Sequence, residues 1–142
     1  MSVLVFLCAV PNTAISISTS ALNTPILGQN HSVDCVVSET VRGLSAKPVP
    51  LWLNHDGNEL ITTENEINLD GPSYQSTLRL TTLSLTFDSL HTSHAGRYIC
   101  QASLSSPALF SPLVKTQDYN ISLQSEQYFF NVLNYDLTQY HL

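Results

Sequence analysis

From residue 15 onward, apolar and polar residues alternate in short runs separated by Pro, Gly and Asn. Ile15 and Ile17 alternate with serine, and Val33, Cys35 and Val37 fall on one face of the next run. Leu51-Trp52-Leu53 leads into Asn54-His55-Asp56-Gly57, and Asp-Gly between strand-like runs predicts a hairpin. Leu78 and Leu80 alternate, then Leu83, Leu85 and Phe87 do the same. Tyr98 and Cys100 alternate ahead of Ala102, and Tyr119, Ile121 and Leu123 close the series. Nothing between 15 and 125 sustains the i, i+3, i+4, i+7 spacing of an amphipathic helix. Ser, Thr, Val and Ile are abundant, which suits pleated, half-buried strands. The pattern predicts an all-β chain of about seven to nine short strands.

The flanks read differently. Val3 to Val10 is a short apolar run that fits the core of a secretory signal peptide. No Lys or Arg precedes it and no clean small-x-small site follows it. The alternatives for residues 1–14 are a buried first strand or the stump of a truncated upstream segment. If 1–14 is removed, Cys8 goes with it and Cys35 and Cys100 remain. Residues 126–142 are aromatic-rich and take no assigned fold. Tyr128, Tyr135 and Tyr140 there are ordinary aromatics.

Composition then removes several classes. The 142 residues favour one domain, and 43% hydrophobic residues supply a core. Charged residues make up 11%, so Ser, Thr, Asn and Gln must cover the surface. Five Lys+Arg against eleven Asp+Glu give a net charge of −6, which repels phosphate backbones. No nucleic-acid partner is expected, and no polybasic patch suits anionic lipid. No apolar run approaches the ~18–20 residues of a membrane span.

Cys35, Trp52, Tyr98 and Cys100 form a constellation. The two cysteines lie 65 residues apart with Trp52 between them, and Tyr98 stands two before the second. Trp52 to Leu60 and Leu85 to Cys100 extend it, with Leu85, Phe87 and Leu90 at apolar positions and Ala95-Gly96 at a corner. This resembles an immunoglobulin-like domain over roughly residues 15–125. The resemblance implies a Greek-key β-sandwich of two antiparallel sheets with one inter-sheet disulfide, Cys35 to Cys100. It also implies Trp52 packed on that bridge and Tyr98 in a tyrosine corner. The cysteine spacing leans towards a variable or intermediate type. His94 stands where the family usually has Asp, so the usual salt bridge is not expected and the corner looks less tightly held. The loop between the second and third strands spans Ser38 to Pro50 and looks long.

No catalytic motif is present: Gly-x-Ser-x-Gly, His-Glu-x-x-His and CxxC are all missing. His91 and His94 are most simply two solvated loop histidines without a third ligand, and no metal or cofactor is expected. His94 is a candidate pH sensor if it replaces the corner Asp. Glu64, Glu66 and Asp70 read as a solvated edge.

Function therefore falls to surfaces. Ser103 to Gln117 is long for a hairpin and carries Leu109, Phe110, Leu113 and Val114, the candidate partner-binding residues. The other reading is that these four extend the flanking strands. Asn30-His31-Ser32 and Asn120-Ile121-Ser122 match N-x-[ST] and are candidate glycosylation sites. The resemblance implies a non-enzymatic extracellular recognition module for adhesion or receptor–ligand binding, secreted or part of a larger receptor. Its partner would be a protein, with no small-molecule substrate. The alternative is a structural module of an intracellular filament-type protein, with both cysteines reduced.

Overall fold

Period-2 alternation decides which side chains meet. The computed structural model describes residues 15–40, 47–63, 66–105 and 111–124. They form seven strands: β1 Ile15–Ala21, β2 His31–Glu39, β3 Val49–Leu53, β4 Ile67–Gln75, β5 Leu80–Phe87, β6 Gly96–Leu104 and β7 Leu113–Ile121. One sheet has the order β1-β2-β5-β4 and the other β3-β6-β7, with every pairing antiparallel. The chain crosses between the sheets after β2, β3 and β5. Two isolated bridges extend the edges: Ile26 with Gln124, parallel, and Leu53 with Glu59. The 1–14 segment and the 126–142 tail lie outside the described residues.

The inward positions build the core. His31, Val33, Cys35 and Val37 of β2 lie beside Leu83, Leu85 and Phe87 of β5 in one sheet, and this layer faces Trp52, Cys100, Ala102 and Leu104 of the other. Burying a large aliphatic or aromatic side chain is worth about 1.5–3 kcal/mol, so these faces supply the main driving force.

The Asp-Gly turn forms as read, but the return strand expected after it reduces to the single bridge of Leu53 with Glu59. Asn54 Oδ1 accepts from the backbone N–H groups of Asp56 and Asn58, each at 2.9 Å, and Gly57 takes a φ of +83°. The loop before it is shorter than Ser38–Pro50. Ser38 and Glu39 belong to β2, and Val49 and Pro50 belong to β3. In β5 the phase differs from the reading as well. Leu78 lies in the preceding turn, 59% exposed, and Thr81, not Leu80, opens the buried series. The turn ends on Arg79 at a φ of +54°, and this resets which residue faces in.

β4 is a strand that the alternation did not show. Asp70, Gly71 and Pro72 interrupt it and read as breakers. A register shift between Asp70 and Ser73 absorbs them. A Cβ on Gly71 would lie 2.8 Å from the Thr82 carbonyl oxygen, so only glycine fits the bulge. The outer edge of β4 is partly covered. The Ile67 and Leu69 N–H groups donate to the hydroxyls of Thr63 and Thr62. Such covering limits edge-to-edge pairing.

Candidate functional site

The centre of the sandwich holds the sequence-predicted signature. Cys35 and Cys100 are bonded across the sheets with a Cα–Cα distance of 6.3 Å, both fully buried. Trp52 pairs with Cys100 in the β3–β6 register, and its Nε1 donates to the Leu83 carbonyl at 3.0 Å. That bond ties the two sheets a second time. Leu85, Phe87 and Leu90 are all fully buried. Gly96 opens β6 at a φ of +128°, a backbone conformation that side chains rarely adopt.

Tyr98 closes the corner between β5 and β6. Its hydroxyl donates to the His94 carbonyl at 2.8 Å, and burial pushes its ionisation upward. Tyr98→Phe should cost about 1–3 kcal/mol, because a buried carbonyl loses its donor. Urea denaturation checks this; an unchanged midpoint would show the bond to be idle.

The same corner corrects the histidine reading. His91 is exposed, but His94 is only 6% exposed. Thr92–His94 forms one 3-10 turn, which swings the His94 ring inward to 5.0 Å from Phe87. His94 Nδ1 accepts the His91 backbone N–H at 2.9 Å. The corner is therefore tied down without the family's Asp. Burial lowers the proton affinity of His94, and His91 lowers it further, against a smaller pull from Glu66. Among the described residues no three His, Cys, Asp or Glu side chains gather as metal ligands.

His31 is a site the sequence reading missed. It is 1% exposed and its Nε2 lies 2.7 Å from the Tyr119 hydroxyl of β7. Its signal was its phase, since it falls on the same face as Val33, Cys35 and Val37.

The outward faces of the two sheets differ sharply. That of β1-β2-β5-β4 carries Ser16, Ser18, Ser38, Thr82, Ser84 and Thr86, with Val36 and Leu80 among them. Ser84 Oγ donates to Asp34, and Ser32 and Thr86 share a hydroxyl contact at 3.0 Å. That of β3-β6-β7 carries Val49, Leu51 and Leu53 on β3, Ile99 on β6 and Val114 on β7. Val49 and Val114 are each 54% exposed. Arg97 and Asp118 pair at its lower end, 3.6 Å apart and half-exposed.

The partner-binding candidates divide. Leu113 and Val114 are β7 residues paired with Leu104 and Ser103, which corrects their placement in a loop. Leu113 packs on the core while Val114 points out. Both strands run further than the prolines suggested, so the connection contracts to 105–112. Leu109 and Phe110 lie outside the described residues. An open depression of about 460 Å³ is lined by Ser111, Pro112, Leu113, Val114 and Lys115. Asn30 is exposed ahead of β2, and Asn120 is exposed on β7 opposite Arg97. Glu66 and Asp70 are both exposed, and Glu64 lies outside the described residues.

Comparison with known proteins bears on the fold. No family model and no curated protein matches the chain. Among solved structures, the BTLA ectodomain aligns with a TM-score of 0.51 at 18% identity, covering 78% of this chain and 98% of that one. The first immunoglobulin domain of mouse SynCAM 2 aligns at 0.48 and 18%, covering 75% and 95%. The Dpr2 Ig1-Ig2 complex with DIP-Theta Ig1-Ig3 aligns at 0.48 and 17%, covering 77% of this chain. This chain spans 32% of the length of the matched chain in that complex. The chain is an immunoglobulin-like β-sandwich with an inter-sheet disulfide. No helix among the described residues is long and apolar enough to cross a membrane.

Proposed function

We propose that this domain is a non-enzymatic extracellular recognition module that binds a protein through the outward face of β3-β6-β7. The observation that carries the reading is the contrast between the two outward faces. One carries mostly serine and threonine hydroxyls, with Val36 and Leu80 among them; the other gathers Val49, Leu51, Leu53, Ile99 and Val114 beside the polar Gln101, Ser103 and Thr116. Apolar side chains gathered on one exposed face suit burial against another protein. Leu109 and Phe110, which follow β6 in sequence, are further candidate contacts for the partner. The buried disulfide supports an oxidising compartment, outside the cytosol. Asn30 and Asn120 would then accept glycans at exposed positions. The structural neighbour at a TM-score of 0.51 is described as an ectodomain, which supports the extracellular reading.

The test uses the chain secreted from a eukaryotic cell line, tetramerised and applied to cells displaying extracellular proteins. Ile99→Lys should weaken binding at least tenfold, because it sets an ammonium on this face between Leu53 and Asp118. Surface substitutions usually stay within about 0.5 kcal/mol in stability, so the melting temperature should hold. Binding equal to that of the unsubstituted chain would remove this face from the reading. Intact mass with and without reductant and glycosidase checks the compartment.

A further inference from the structure

Two buried imidazoles lie at one end of the sandwich, and both are arranged to be neutral. His31 opens β2, 1% exposed, with Nε2 2.7 Å from Tyr119 Oη and the two rings stacked at 5.9 Å. Its Nδ1 is buried without a hydrogen-bond partner. In either neutral tautomer one bond to Tyr119 is kept. The imidazolium would add a charged N–H with no acceptor, in the interior between the sheets. His94 is held by a different device. Its Nδ1 accepts the His91 backbone N–H, so a proton placed there would face another donor. Phe87 joins the two: it is the register partner of His31 and the ring neighbour of His94 and Tyr98.

We propose that His31 and His94 form an acid-triggered latch on this end of the sandwich. Neutral, they hold β2 to β7 and close the β5–β6 corner; protonated, they release both. The charged surroundings are few. His31 faces the Tyr119 hydroxyl from β7 and the uncharged Phe87 from β5. His94 faces His91 on its own turn, Tyr98 from β6 and Glu66 just ahead of β4. Among the described residues only Glu66 favours the protonated form, and burial together with His91 outweighs it. Burial alone disfavours the charged form of His31. Both rings therefore bind protons less readily folded than unfolded. As pH falls below the unperturbed value near 6.5, the unfolded chain takes up more protons and the fold loses stability. That loss continues as pH falls through the lowered folded values, and full stability returns above about 6.5.

The experiment is a series of melting temperatures between about pH 7.5 and 5 on the intact chain. The unsubstituted protein should lose several degrees across that window. His31→Phe with Tyr119→Phe removes both partners of the sheet-to-sheet contact and keeps ring volume. His94→Asn keeps an acceptor for the His91 N–H without a titrating ring. Each variant should lose part of the fall, and the two combined should leave melting nearly flat. A flat profile in the unsubstituted protein, or a combined variant that falls just as far, overturns the latch. Should the variants fail to fold, ring resonances of the unsubstituted protein decide. Titration midpoints for His31 and His94 below about 6.5 support it, and midpoints at or above that value overturn it.

Discussion

Replacing Cys35 and Cys100 together by alanine should lower stability by about 4 kcal/mol, from the lost constraint on a loop closed over 65 residues of separation. Domains of this size carry about 5–15 kcal/mol in all, so the variant should sit near the edge of folding at physiological temperature. The bridge also occupies the centre of the core, so its loss removes packing as well as constraint. Guanidinium denaturation of the purified variant measures the effect. A midpoint within error of the parent would show that strand pairing alone holds the sheets. Secretion of the variant should fall in parallel, since marginal domains are retained or degraded.

Trp52→Ala should cost about 3–5 kcal/mol, comparable to the disulfide. The side chain is fully buried, and its loss leaves a cavity beside Cys100. It also strips the Leu83 carbonyl of the donor that crosses from one sheet to the other. Trp52→Phe separates the two contributions. It keeps most of the ring volume and loses the N–H, for which about 1–3 kcal/mol is expected. Trp52 is the only tryptophan, so far-ultraviolet circular dichroism must replace fluorescence as the probe. Equal costs for the two substitutions would assign the effect to the hydrogen bond; a small cost for phenylalanine would assign it to volume.

The Trp52 substitutions and the Ile99→Lys test act on opposite sides of one sheet. Trp52 faces inward on β3 and Ile99 outward on β6, paired with Leu53. Their effects should separate cleanly, stability for one and binding for the other. The acid latch lies at the end of the same sheet, where Tyr119 reaches from β7 to His31.

Much of this protein was determined by the sequence itself. Alternation at Val33-Cys35-Val37, at Leu83-Leu85-Phe87 and at Tyr98-Cys100-Ala102 specified inward faces, because a strand's side chains repeat every two residues. Asn54 to Asn58 specified its own hairpin, because a side-chain acceptor and a glycine act over a few bonds. What the tertiary structure decided lay where distant segments meet. β4 exists because its partner β5 accommodates a bulge at Gly71 that looks locally like a break. Leu113 and Val114 became strand because Leu104 and Ser103 offered them pairing, which outweighed the nearby prolines. His94 became buried because a short turn aimed it at Phe87, and no pattern within its own segment carries that direction. The apolar outward face emerged from β3, β6 and β7 together, since no single strand contributes more than three of its five residues. Local chemistry chose the strands and the inward phase of His31; only their juxtaposition placed His94 in the interior and five aliphatic side chains on one surface.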